Sequence, residues 1–287
     1  MNRVGLASCI LWALASAGAV RAQGGSTNSA PSAEKLAVTP GGVDMRTGHH
    51  SYKATDLTIG AGAPGDLSLA RMMSLGIPGH VEPFANFANN WDIMLTEKRI
   101  NISEHNFQHG SGIDYELGVR YGGRSETFRG YSSYTTVDQV SMNPYTKLTW
   151  TGDRTSAGAV YTYQATDGTI VTFRPIGNGD CSSFFRCAYA SQIVEPGGIK
   201  YTLEYDSSGP ARLRSVASSR GYAMLLEYSG TNVTKACVIN LAHTVKPSNN
   251  VCPSNAPATT TYTYTTFAGA TKLASVTDAA GNISSFA

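Results

Sequence analysis

Apolar residues along this chain recur at the spacing of strands, not helices. Leu67-Ser68-Leu69 alternates, and Trp91-Asp92-Ile93-Met94-Leu95 runs apolar at strand length. Glycine clusters at Gly60 to Gly65 and Gly76 to Gly79 punctuate these runs, as turns between strands would. Beyond the N-terminal segment, no stretch sustains the helical period over about a dozen residues. Abundant Gly, Thr, Ser and Tyr suit β-structure with frequent turns. The clearest hairpin runs from Val160 to Arg174. Its Thr166-Asp167-Gly168-Thr169 segment has Asp-Gly at the centre, which a type I′ turn favours because both central residues need positive φ. That turn would set Tyr163 opposite Thr172 and Thr162 opposite Phe173. The pattern therefore predicts an all-β chain.

A short theme recurs in the second half. Tyr205-Asp206-Ser207-Ser208-Gly209 leads to Arg212-Leu213-Arg214-Ser215-Val216 and then Gly221. Tyr262-Thr263-Tyr264 leads to Lys272-Leu273-Ala274-Ser275-Val276-Thr277-Asp278 and then Gly281. Leu213 and Leu273, Val216 and Val276, and Gly221 and Gly281 stand at one common spacing. A looser copy begins at Tyr161-Thr162-Tyr163. Repetition of this kind denotes stacked units, each too small to bury a core alone.

These residues resemble the YD repeats of bacterial RHS proteins, whose theme is roughly Tyr-Asp-x-x-Gly-Arg-Leu-x-x-Val-x-Asp-x-x-Gly. The matches are Tyr205, Asp206, Gly209, Arg212, Leu213, Val216 and Gly221, then Leu273, Val276, Asp278 and Gly281. Pro210 and Ala211 lengthen the first turn, Ser218 replaces the second Asp, and Phe267 stands where Tyr-Asp is expected. Earlier come Gly42-Val43-Asp44-Met45-Arg46-Thr47-Gly48, Thr55 to Gly60, Leu67 to Arg71, Phe84-Ala85-Asn86-Phe87 and Asn90-Trp91-Asp92. Their order resembles the segment that precedes the repeats in exported RHS-type chains. The resemblance implies β-hairpin (YD-type) repeats forming part of a β-sheet shell, preceded by a β-rich N-terminal segment. It also implies partners: downstream RHS repeats or a passenger domain that the shell encloses.

The organisation expected is a signal peptide over 1–22, a flexible linker over 23–40, a β-rich segment over 41–156 and degenerate repeats over 157–287, with a polar, protruding Cys-containing insertion at 229–257. Arg3 supplies a short positive region, an apolar run follows, and Val20-Arg21-Ala22 offers small residues for cleavage. That run is too short to span a membrane, and no later one is long enough. A secreted, periplasmic or cell-surface location follows. The net charge of +2 comes from Arg3 and Arg21 in the leader. The mature chain is then formally neutral, with no electrostatic footprint for nucleic acid. Cys181, Cys187, Cys237 and Cys252 remain, an even number that in an exported chain predicts disulfides. Cys181–Cys187 and Cys237–Cys252 are the favoured pairs because each closes a Gly/Asn/Ser/Pro-rich loop. Beyond Gly281 the strand edge and Phe286 are expected to be exposed and to promote self-association.

Chemistry is sparse. Gly60-Ala61-Gly62-Ala63-Pro64-Gly65 with Glu82 downstream matches a dinucleotide fingerprint, but Asp66 to Arg71 alternates like a strand where a helix is needed. His105 and His109 would bind metal together only on a helix, and His49, His50 and His243 read as loop residues. Asp92, Glu97, Asp114 and Glu116 include a candidate carboxylate pair for glycoside hydrolysis. No catalytic, cofactor or metal site is assigned, and no enzyme activity is expected. Asn101, Asn232 and Asn282 begin glycosylation sequons. Tyr161, Tyr163, Tyr201, Tyr205, Tyr262 and Tyr264 lie at strand spacing, so each pair shares a face. They read first as inter-strand packing and second as ligand-facing aromatics for sugar rings. The leading function is an exported scaffold. The alternative is a carbohydrate-binding module with cell-surface carbohydrate as partner, and behind it a secreted polysaccharide hydrolase.

Overall fold

The computed structural model describes residues 52–73, 82–85, 87–101, 113–121, 124–131, 145–152, 156–176, 186–206 and 211–286. All lie within the compact unit Tyr52–Ala287, the other unit being Met1–Ser51. The expected leader and linker, His49, His50, His105, His109 and Cys181 fall outside the described residues.

Every regular element among the described residues is a strand, as the alternating pattern predicts. β1 (Lys53–Ile59), β2 (Leu67–Met73) and β3 (Phe87–Asn89) form a three-stranded antiparallel sheet in chain order. A 14-stranded sheet takes the rest. Its first seven members are β4 (Met94–Asn101), β5 (Ile113–Tyr121), β6 (Arg124–Tyr131), β7 (Lys147–Thr151), β8 (Val160–Gln164), β9 (Ile170–Pro175) and β10 (Arg186–Val194). The others are β11 (Lys200–Tyr205), β12 (Leu213–Ser218), β13 (Tyr222–Ser229), β14 (Asn232–Asn240), β15 (Ala258–Phe267), β16 (Ala270–Thr277) and β17 (Ile283–Ser285).

One turn geometry builds many of these hairpins. At Ala165–Thr169, Glu195–Ile199 and Asp278–Asn282, the first residue's N–H donates to the last residue's carbonyl at 2.8, 2.9 and 3.0 Å. In each, the fourth residue is a glycine that donates back to the first carbonyl, with φ of +86° at Gly168, +77° at Gly198 and +85° at Gly281. Gly221 does the same between β12 and β13, at φ +88°. These are three-residue loops ending in a left-handed glycine. The two-residue turn expected at Asp167-Gly168 is therefore corrected. Asp167 is not among the positive-φ residues, and its Oδ1 instead accepts the Thr169 N–H at 2.9 Å. The register moves by one residue, so Tyr161 pairs with Phe173, Thr162 with Thr172 and Tyr163 with Val171.

The sheet forks at β10. Ala188 pairs with Pro175 of β9 and Leu95 of β4, and Gln192 with Thr172 of β9 and Thr202 of β11. β9 thus takes one edge of β10, while β4 and β11 share the other. This pairing joins the 41–156 and 157–287 stretches in one sheet. In a flat sheet β5 and β8 would lie four strand spacings apart, about 19 Å. Yet the Tyr121 ring of β5 is 6.2 Å from the Tyr163 ring of β8. Phe128 of β6 is also 6.2 Å from Tyr163. The sheet therefore folds over, and the arms on either side of β10 face one another. The small sheet packs on this inner face, where Leu57, Leu67 and Leu69 join one core with Tyr161, Phe173, Val216, Met224 and Val276.

Two expectations are corrected here. The 229–257 stretch is not simply a protruding polar insertion. β14 is an interior strand paired with β13 and β15, and Ala236, Cys237, Val238 and Ile239 are buried. Ala223, Leu225, Cys237, Ile239 and Cys252 form a second core cluster of their own. Such burial on both faces produces continuous apolar runs in place of alternation. Phe286 is not exposed. Its N–H donates to Ala274 at 2.9 Å, and its ring lies 5.2 Å from the Arg71 guanidinium. β17 pairs with β16, and all three of its residues are exposed.

Candidate functional site

The two facing arms and the small sheet line a half-open pocket of about 640 Å³. Its walls come from Asp66, Ser68, Asn90 and Trp91, from Val119 and Tyr121 of β5, and from Glu126 of β6. Tyr163 of β8, the Ala165–Asp167 turn, Ile193 and Glu195, and Tyr201 of β11 complete it. Among the described residues, no lysine, arginine or histidine lines it.

Hydrogen bonds fix its aromatic wall. The Trp91 indole N–H donates to the Ser68 carbonyl at 2.7 Å. Asn90 Nδ2 donates to the same carbonyl at 2.9 Å, and Asn90 Oδ1 accepts from Ala70 N at 2.8 Å. Trp91 lies 5.5 Å from the Tyr201 ring. The Tyr201 hydroxyl donates to Glu195 Oε1 at 3.2 Å. Burial, reinforced by Glu195, pushes the Tyr201 phenol up to about 12. Tyr163 is raised as well, first by burial and then by the Glu126 carboxylate beside it. Glu126 Oε2 is buried with no hydrogen-bond partner among the described residues.

The tyrosines singled out by strand spacing divide. Tyr163 and Tyr201 line the pocket, whereas Tyr161, Tyr205, Tyr262 and Tyr264 pack into the core. Tyr161 OH reaches Glu97 Oε2 at 3.4 Å, Tyr262 OH donates to Asp56 Oδ2 at 2.9 Å, and Tyr264 OH donates to the Val233 carbonyl at 2.6 Å. Tyr205 lines a small cavity beside Asp92 and Tyr189, its phenol raised well above normal by burial. They form no exposed platform. Strand spacing placed the tyrosine pairs on common faces but could not say that the face was enclosed. It also missed Trp91, Tyr121, Glu126 and Glu195, which lie on segments brought together by the fork at β10.

The expected carboxylates are scattered. Asp92 pairs with Arg120 at 3.5 Å, Glu97 is buried, and Glu116 stands opposite Lys98 in the β4–β5 register. The Asp114 side chain lies outside the described residues. Gly60 to Gly65 is the β1–β2 turn and leads into a strand, not a helix. A Cβ at Gly60 would stand 2.8 Å from Asp66 Cβ, so the glycine permits a close approach. His243 is exposed in the turn after β14. Asn232 opens β14, and the exposed Asn282 donates to Asp278 at 2.9 Å, while the Asn101 side chain lies outside the described residues. Cys237 and Cys252 are disulfide-bonded with Cα atoms 5.9 Å apart. Cys187 is also disulfide-bonded, but its expected partner Cys181 lies outside the described residues.

No protein-family model and no curated protein matches the chain. Among solved structures, it is similar to the N-terminal domain of effector protein SpvB from Salmonella typhimurium strain LT2. Identity is 10% and the TM-score 0.46, over 82% of this chain and 100% of that one. It is also similar to a chain of the TcdB2-TccC3-Cdc42 crystal structure, with 11% identity, a TM-score of 0.49 and 82% of this chain covered. There the chain spans 15% of the other's length.

Proposed function

We propose that this chain is an exported structural protein of the RHS type, contributing β-hairpin layers to a shell or cell-surface scaffold. One observation carries the reading. The glycines of the YD-like theme, Gly221 and Gly281, occupy the same left-handed turn position, and the apolar residues between repeats, Leu213, Val216, Leu273 and Val276, all face one inner core. This supports reading the repeat as a repeated hairpin whose inner face serves enclosure. Such units stabilise one another through neighbours and do not require an active site.

The test is fractionation of the native host without denaturant. The protein is expected in the envelope or medium, beginning at Gln23, in an assembly heavier than the 30.4 kDa chain. Recovery as a cytosolic monomer that retains Met1 would overturn the reading, as would release of product from a polysaccharide panel by the purified protein.

A further inference from the structure

The Cys237–Cys252 bond closes a strap over the outer face of the large sheet. Residues 241–257 join β14 to β15 and contain no strand or helix. They fold back across β11, β12 and β13, each of which supplies an anchoring side chain. Glu204 Oε2 on β11 accepts from Lys246 Nζ and, at 3.5 Å, from Asn250 Nδ2. Arg214 on β12 donates to the Asn249 carbonyl at 3.2 Å. Glu227 Oε1 on β13 accepts the Cys252 N–H at 2.8 Å. Beneath the strap lie Ala223, Leu225 and Ile239, in a cluster separate from the main core. Their strand neighbours Met224 and Val238 belong to the main core, because successive side chains point to opposite faces. Little besides the disulfide holds the strap. Its apolar share of the outer cluster is Leu241, Cys252 and Ala256. The Lys246 and Glu204 side chains are 21% and 49% exposed, and ion pairs so open to water contribute little. Among the described residues, backbone–backbone bonds from 242–257 stay inside the strap or reach Asn240 at its root. A crosslink between residues 15 apart favours the closed form by roughly a hundredfold.

We propose that the strap is a thiol-gated cover. Reduction of Cys237–Cys252 frees 241–257 to open and to expose the Leu225 and Ile239 face, while the sheet and its inner core stay folded. The chemistry is exchange with a dithiol. One thiolate of the reductant attacks Cys252 Sγ, since Cys252 is 6% exposed and Cys237 fully buried. The S–S bond breaks, and Cys237 leaves as a thiolate that takes up a proton. The second thiol of the reductant then closes on the mixed disulfide and releases Cys252. Both cysteines end as thiols, and the dithiol is oxidised to a cyclic disulfide. Because both sulfurs are buried, the attack requires a transient local opening of the strap. Oxidising surroundings preserve such a bond and reducing ones remove it, so the cover reports which of the two the protein is in.

Hydrogen exchange of the full chain, resolved by peptide, compares three samples. They are the oxidised protein, the protein reduced under native conditions with dithiothreitol, and Cys252→Ala. The variant separates this bond from the Cys187 disulfide, which dithiothreitol also cleaves. Amides of 242–257 are expected to exchange about tenfold faster or more in the reduced protein and in the variant. Those of β8, β9 and β16 are expected to stay within about threefold of the oxidised protein. Glu204→Gln loosens only the surface pair, and is expected to speed strap exchange by less than about threefold. Unchanged strap exchange in Cys252→Ala would overturn the proposal. So would equal acceleration of the strap and of β8 and β9, which would make the bond a support for the whole fold, or an effect of Glu204→Gln as large as that of Cys252→Ala. Should Cys252→Ala fail to fold, the reduced protein decides. A protected core with a fast strap then supports the cover, and loss of protection in both overturns it.

Discussion

Arg71 sits buried where the two sheets meet. Its side chain is 2% exposed, and its Nε and Nη2 donate to Asp56 at 2.6 and 2.9 Å. The rings of Tyr52, Phe87 and Phe286 stand 5.8, 5.6 and 5.2 Å from the guanidinium carbon. Burial works against the charge, but Asp56 outweighs it and holds Arg71 above its ordinary pKa. Tyr262 of the large sheet donates to the same carboxylate. Removing one member of a buried pair leaves an uncompensated charge, so Asp56→Ala is expected to cost about 3–5 kcal/mol. Tyr262→Phe loses one hydrogen bond to a charged group and is expected to cost about 1.5–3 kcal/mol. Urea denaturation followed by tryptophan fluorescence compares them, and equal, negligible effects would contradict this account. The β1–β2 hairpin, with its bulge between Thr55 and Leu57, sets Asp56 beside Arg71, while only sheet packing brings Tyr262 to them, so alternation along the sequence did not reveal the group. The shared faces of Tyr161 with Tyr163 and of Tyr262 with Tyr264 were legible, since alternation along one strand determines them.

Among elements, the repeated three-residue turn is where the sequence signal was strongest and still incomplete. Asp-Gly marks a hairpin in either loop length, and the strand pattern alone did not distinguish a two-residue from a three-residue connection. Only the Asp167 side chain bonding to Thr169 separates them. A Cβ at Gly281 meets nothing within 4 Å, so Gly281→Val tests backbone conformation alone. Strain at its φ of +85° is expected to cost about 1–2 kcal/mol. Asp167→Asn keeps the turn and is expected to stay within about 0.5 kcal/mol of the parent. Ala268 holds a left-handed φ of +50° between β15 and β16, so Ala268→Gly should raise the melting temperature. A fall would mean that the loop is not strained. Below the β13–β14 hairpin, the Cys237–Cys252 bond spans a separation of 15 residues. Its loss in Cys252→Ser is expected to cost about 3 kcal/mol. The sequence indicated that pair, yet its polar surroundings concealed that Cys237 sits on a doubly buried strand.

At the scale of the whole molecule, the folded-over sheet desolvates many phenols at once. Tyr121, Tyr163, Tyr189, Tyr201, Tyr205, Tyr228, Tyr262 and Tyr264 are all raised above the ordinary phenol value, with burial the largest cause in each. A raised folded-state pKa contributes stability that is complete below the unfolded value of about 10 and is lost as pH rises through the folded value. For Tyr205 and Tyr262, which are raised well above the ordinary value, each is expected to remove about 1.4 kcal/mol per pH unit above that point. The tyrosinate absorbance of these eight phenols should therefore rise together with unfolding, not ahead of it. Strand existence was legible from alternation, but the fold-over was not, because it depends on β4 pairing with β10 from far along the chain. Both the proposed enclosing role and the pocket rest on that closure. Proton NMR of the folded protein tests it directly through nuclear Overhauser contacts between aromatic rings. Cross-peaks from Tyr163 to both Tyr121 and Phe128, whose ring centroids each lie 6.2 Å away, are the expected result. A folded, well-dispersed spectrum with the β8–β9 contacts present and both of these cross-peaks missing would contradict it, since an open sheet keeps those strands about 19 Å or more apart.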